Sequence, residues 1–254
     1  MVLIPTDLPE PVVPAISKCG IRACGILRSC RRGIRGGPAC VHRLVHSRKV
    51  ASMQRRSPRL LERARASMPP PVVVRDFLSD SDIADLFAFA SSLRVVDGEG
   101  LVRYGSGHVA LFLHHGGAFA SAHPALLRKM LTTARNCAHD AGLCSHAVAL
   151  NVRCVEMHLY QEGGGLTTSG HYDQGSILTF SVQLSPPGPR ESGGRFSTSD
   201  ASGVESVHEL GRGDAILFRS EQVHNVSTLA RGAERNSLVI ELWQGRECSV
   251  DRFK

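Results

Sequence analysis

The stretch Tyr160-Gln161-Glu162-Gly163-Gly164-Gly165-Leu166-Thr167-Thr168-Ser169-Gly170-His171-Tyr172-Asp173 decides how the rest of the chain is read. A glycine-rich turn runs into a His-x-Asp triplet. Residues i and i+2 of an extended chain share a face, so His171 and Asp173 can reach one ion while Tyr172 points away. About fifty residues later His224 follows an apolar run, and Arg235 stands eleven residues beyond it. Two imidazoles and one carboxylate form a facial set that leaves positions open on Fe(II). Zinc accepts the same donors. His224 must arrive from a neighbouring strand, so this reading requires a folded sheet.

Working outward, the sequence alternates as strands do. In Val152 to Tyr160, the residues Val155, Met157 and Leu159 share one face, and Cys154, Glu156, His158 and Tyr160 share the other. One face is expected to meet helices and the other a barrel lumen. Ile177 to Leu184 repeats the pattern, with Thr179, Ser181 and Gln183 toward the site. Further strands are expected at Arg195–Ser197, Val204–Leu210, Ala215–Phe218 and Asn236–Trp243. The last places Arg235, Ser237, Val239, Glu241 and Trp243 on one face. Pro186-Pro187-Gly188-Pro189 reads as a rigid loop, and Gly211-Arg212-Gly213-Asp214 as a turn. Toward the N-terminus, Val72–Val74 reads as a short strand. Ser79 to Asp82 offers N-caps for a helix carrying Ile83, Leu86, Phe87, Phe89 and Ala90. Strands at Leu101–Tyr104 and Val109–Leu113 come next. A second helix runs from Pro124 to about Ala141, with Gly142 as its C-cap glycine. Many short strands between Gly and Pro turns predict a mainly β chain with flanking helices: a jelly-roll, or double-stranded β-helix, barrel with a ligand-sized mouth.

Charge divides the 254 residues in two. Residues 1–70 hold 14 Lys and Arg against 3 Asp and Glu, a balance of +11; residues 71–254 hold 16 against 20, a balance of −4. The barrel segment is therefore mildly acidic, which argues against a nucleic-acid groove on it. Nucleic acid could be met only through residues 1–70. That Arg-rich, Gly/Ser/Pro-interrupted segment is expected to be a disordered extension or a targeting segment, and Pro69-Pro70-Pro71 marks the boundary of the 71–254 domain. No apolar run has the ~20 residues of a membrane span. None of the eight cysteines forms a C-x-x-C pair, so free thiols in a reducing compartment are expected. That compartment is read as cytoplasmic, with nuclear or mitochondrial placement left open by the Arg-rich start. His108, His114-His115, His123, His139, His146 and His208 are read as solvent-exposed or cavity-lining side chains rather than metal ligands, because adjacent strand residues face opposite ways.

The order Tyr160-x-x-Gly-Gly, His171-x-Asp173, Ser192-Gly-Gly-Arg-Phe196, Gly213-Asp214, His224, Arg235-x-Ser237 and Trp243 resembles the 2-oxoglutarate and Fe(II)-dependent dioxygenases, chiefly their prolyl 4-hydroxylase-like branch. The resemblance spans Val72 to Gly245. It implies iron held by His171, Asp173 and His224, with 2-oxoglutarate anchored by Arg235 and Ser237 and reached by Tyr160. It further implies ascorbate as a helper and hydroxylation of a C–H bond, of a protein or peptide side chain or of a small molecule, with release of succinate and CO2. The chain departs from the collagen-type enzymes at Arg235, where they usually carry Lys, and this puts peptidyl proline as substrate in doubt. Two other readings stay open: a non-catalytic jelly-roll binding module with a basic tail, and a nucleic-acid demethylase of the same superfamily.

Overall fold

The computed structural model of the chain describes residues 65, 68–96, 101–103, 107–145 and 148–247. Nearly all of the basic segment 1–70, His146 and Cys248 lie outside the described residues.

Ten strands and three α-helices make up the described residues: β1 Val72–Val74, α1 Asp80–Val96, β2 Leu101–Arg103, β3 His108–Phe112, α2 Ala118–Ala122, α3 Pro124–Asp140, β4 Asn151–Tyr160, β5 Leu178–Gln183, β6 Phe196–Ser199, β7 Glu205–His208, β8 Ala215–Arg219, β9 Val223–Val226 and β10 Arg235–Trp243. They form a seven-stranded sheet in the order β1-β8-β5-β10-β4-β3-β2 and a three-stranded sheet in the order β7-β6-β9. Every pairing is antiparallel. This is the expected jelly roll, with the ends of the expected strands within a residue or two of the sequence reading; β9, which carries His224, is a strand that reading did not include.

The period-2 patterns sort the side chains as expected. Val155, Met157, Phe180, Val182, Leu238 and Ile240 are buried in a core shared with Ile83 and Leu86 of α1 and Met130 and Ala134 of α3. The helices therefore cover the outer face of the large sheet. A smaller core of Tyr160, Phe196, Ile216, Phe218 and Val226 joins residues of the two sheets. Between these lies the lumen.

Local chemistry sets the element ends. Ser79 Oγ accepts the Asp82 N–H at 3.2 Å, and the Asp82 carboxylate accepts the Ser79 N–H at 3.0 Å. This is a reciprocal cap at the start of α1. After α3, Gly142 takes φ +68, and the Leu143 N–H closes the helix onto Ala138 O at 2.7 Å. The glycine turn after β4 is a matter of space: a Cβ on Gly164 would run into the carbonyl oxygen of Gly107. The turn leaving β4 can thus pack directly against the residue that precedes β3, with the Gln161 N–H donating to Gly107 O at 2.8 Å.

Two expectations need correction. His171 and Asp173 do not lie in a strand; the segment before β5 is an irregular loop, and it converges for the reasons given below. His114 is neither exposed nor lining the lumen. β3 ends at Phe112, and the following turn tucks the His114 ring into the core, with Nδ1 3.1 Å from the Val155 carbonyl oxygen.

Candidate metal and cosubstrate site

Three side chains distant in sequence meet at one end of the lumen. His171 Nε2 is 3.5 Å from Asp173 Oδ1, and His224 Nε2 is 3.7 Å from Asp173 Oδ2. The two imidazole rings stand edge to face, with centroids 4.9 Å apart. All three donor atoms lie within 4.8 Å of one another. Donors around one first-row ion at ~2.1 Å are expected roughly 3 Å apart, so the set fits a single ion after small shifts.

The backbone brings the loop and the strand together. The His224 N–H donates to His171 O at 3.0 Å, and the Asp173 N–H donates to Ser220 O at 2.9 Å. Side-chain bonds then fix orientation. His224 Nδ1 faces the Gln222 carbonyl at 3.1 Å; a carbonyl only accepts, so Nδ1 carries the proton and the Nε2 lone pair faces the site. Thr179 Oγ1 donates to Asp173 Oδ2 at 2.6 Å and lies 2.8 Å from Ser220 Oγ. Burial holds the His224 ring below the usual histidine range, against the opposing pull of Asp173. Burial alone would raise the Asp173 carboxyl, but the His224 and His171 rings and the Thr179 hydroxyl reverse this and keep it ionised. Neutral imidazole and ionised carboxylate are the ligand forms of these groups.

These residues open onto a cavity of ≈ 260 Å³ whose wall includes Tyr160, Ser181, Arg235 and Ser237. Arg235 is only 4% exposed. Its Nη1 donates to Ser237 Oγ at 3.1 Å, and its guanidinium carbon lies 5.6 Å from the Tyr160 ring centroid. Among the described residues no carboxylate pairs with it. Burial lowers its pKa, and Tyr160 acts in the opposite direction. A guanidinium has five N–H donors, so Arg235 retains bonding capacity directed at whatever fills the cavity. The site residues expected from the sequence therefore share one compartment.

Solved structures share this architecture. A 2OG-Fe(II) oxygenase-family oxidoreductase from Burkholderia pseudomallei superposes with a TM-score of 0.51 at 12% identity, covering 70% of this chain and 86% of its own. A Pseudomonas putida prolyl-4-hydroxylase gives a TM-score of 0.50 at 20% identity, covering 74% and 99%. The chain has the 2-oxoglutarate–Fe(II) oxygenase fold. The same oxygenase fold appears in the epimerase SnoN in complex with Fe3+, alpha ketoglutarate and nogalamycin RO, with a TM-score of 0.51 at 18% identity over 78% of this chain and 90% of that one. The sequence itself matches no family model and no curated protein.

Several lumen residues escaped the sequence reading. Glu156 and His158 lay on the face assigned to the lumen, but nothing singled them out. The sequence reads His108 only as exposed or cavity-lining, and the structure sets it in the cavity wall. It reaches the lumen because β3–β4 register sets it directly opposite Tyr160, where its ring stacks at 4.0 Å. Burial foremost, then the neighbouring His158 and Arg235, push its pKa down to about 3.

Proposed function

We propose that the chain is an Fe(II)- and 2-oxoglutarate-dependent dioxygenase that converts a substrate C–H bond to C–OH. One 2-oxoglutarate and one O2 would be consumed, and succinate and CO2 released. The observation that supports this most is that His171, Asp173 and His224 share one cavity with a buried arginine lacking a carboxylate partner among the described residues.

In this reading His171, Asp173 and His224 hold the iron. Bound there, iron supplies dioxygen activation coupled to decarboxylation of the 2-oxo acid. The chain's own groups do the rest. The Gln222 carbonyl keeps the proton of His224 on Nδ1. Thr179 holds Asp173 by Oδ2, and Ser220 Oγ lies against the Thr179 hydroxyl in turn. Arg235 and Ser237 receive the distal carboxylate of 2-oxoglutarate, an anion that would be costly to bury without a cation. Tyr160 packs beside them.

A protein or peptide side chain is the acceptor we favour, on the resemblance to prolyl 4-hydroxylases and the shared fold with one of them; ascorbate would keep the metal ferrous. Residues 71–254 form the catalytic domain in this scheme, and residues 1–70 a basic extension. No helix among the described residues is long and apolar enough to cross a membrane. The test is to incubate pure protein with Fe(II), ascorbate, 2-oxoglutarate and pools of peptides or metabolites, then measure succinate. Substrate-stimulated succinate is expected. No turnover with any pool, together with no bound iron, would exclude the proposal.

A further inference from the structure

Two buried carboxylates, Glu156 and Glu241, line the cavity that holds Arg235. Across β4 and β10, Tyr160 lies opposite Arg235, His158 opposite Ser237, and Glu156 opposite Val239. A guanidinium and a carboxylate in a poorly hydrated space attract strongly. An internal pair would cancel the charge that a dicarboxylate ligand needs. Yet each carboxylate is engaged away from Arg235. Glu241 Oε2 accepts the Ser176 hydroxyl at 2.6 Å and lies 3.4 Å from Arg153 Nη1. Glu156 Oε2 lies 3.2 Å from His158 Nε2, and His158 Nδ1 lies 2.9 Å from His108 Nε2. His108 stacks on Tyr160, whose ring adjoins the Arg235 guanidinium. A string of contacts thus runs unbroken from Glu156 to the cation.

We propose that His158 is a positioning residue: it ties down the Glu156 carboxylate, so that Arg235 stays available to an anionic ligand, and it braces His108 against the Tyr160 ring. The inference rests on Arg235 as the 2-oxoglutarate anchor. In this arrangement the Glu156 carboxylate is the acceptor and His158 presents its Nε2–H to it. With a single proton on each ring, Nδ1 of His158 accepts from the Nε2–H of His108. His108 stays neutral and adds no second cation beside Arg235.

The experiment is calorimetric titration of 2-oxoglutarate into anaerobic, Fe(II)-loaded full-length protein, with iron affinity measured separately. His158→Ala is expected to weaken 2-oxoglutarate binding by about tenfold, or ~1.4 kcal/mol, with iron affinity unchanged. His158→Gln keeps an N–H donor for Glu156 and should bind within about threefold of wild type, well under that ~1.4 kcal/mol. Adding Glu156→Gln to His158→Ala should restore binding, which a mere packing defect would not allow. Wild-type affinity in His158→Ala, or failure of Glu156→Gln to rescue it, overturns the proposal while leaving the anchor intact. A wild-type protein that binds iron but no 2-oxoglutarate overturns the anchor and this proposal together.

Discussion

Arg235 concentrates the chemistry of this site in one side chain. A permanently charged guanidinium with a single protein hydroxyl as partner is stable in a barrel only if water or a ligand meets its remaining donors. Arg235→Gln keeps much of the volume and removes the charge. Loss of a charge-assisted hydrogen bond costs about 1.5–3 kcal/mol, so 2-oxoglutarate affinity should fall at least tenfold by calorimetry while iron affinity stays the same. Equal affinity in the two proteins would rule out the anchor role. Asp214 is a second residue with a readable charge. Burial alone would raise its carboxyl, but the Asp76 and Gly211 N–H groups and the Arg75 guanidinium outweigh burial and lower it. Its folded pKa thus lies below the ~3.9 of the unfolded chain. The stabilisation is complete above pH ~4 and fades as pH falls through the folded value, because the unfolded chain takes up the proton first. Arg75 is 60% exposed and adds little, so the two amide bonds dominate. Asp214→Asn should cost about 1–2 kcal/mol at pH 7, and its urea midpoint should converge on wild type at low pH.

At the scale of single elements, α1 shows how locally coded capping seats a helix on the sheet. Ser79→Ala removes the acceptor for the Asp82 N–H and should destabilise the protein by ~1 kcal/mol, read from the urea midpoint, without altering metal or ligand affinity. The strands were legible for the same local reason: in β4, β5 and β10 a two-residue period divides core from lumen, and those faces are where the sequence reading set them. The His171–Asp173 segment was legible only in outcome. The i, i+2 argument assumed an extended strand, whereas the loop is shaped by Ser220 and His224 backbone bonds from more than forty residues away, which no local pattern encodes. His108, read no further than exposed or cavity-lining, and His114, misread, share a related cause. One sits in the lumen and the other in the core because of where β3 pairs and where it ends, and both are long-range facts.

For the molecule as a whole, loading the triad should couple binding to folding. A ligand present at ~100 times its Kd adds about 2.7 kcal/mol, and each kcal/mol moves the melting temperature of a domain this size by roughly 2–4 °C. Fe(II) under anaerobic conditions is therefore expected to raise the melting temperature by several degrees in wild type and by none in His224→Ala. An equal shift in both would place the metal elsewhere. Two charge regimes also coexist in the chain, the +11 of residues 1–70 and the −4 of the remainder, so salt sensitivity in any partner binding should trace to the first regime.

Arg235 and Phe196 border not only the metal compartment but also a neighbouring void of ≈ 320 Å³ bounded by the Pro186–Pro189 loop. The cation can thus be approached from behind. An acidic inhibitor wedged in by the proline side would compete with the keto acid yet never touch the iron, and so could spare relatives whose rear wall is built differently.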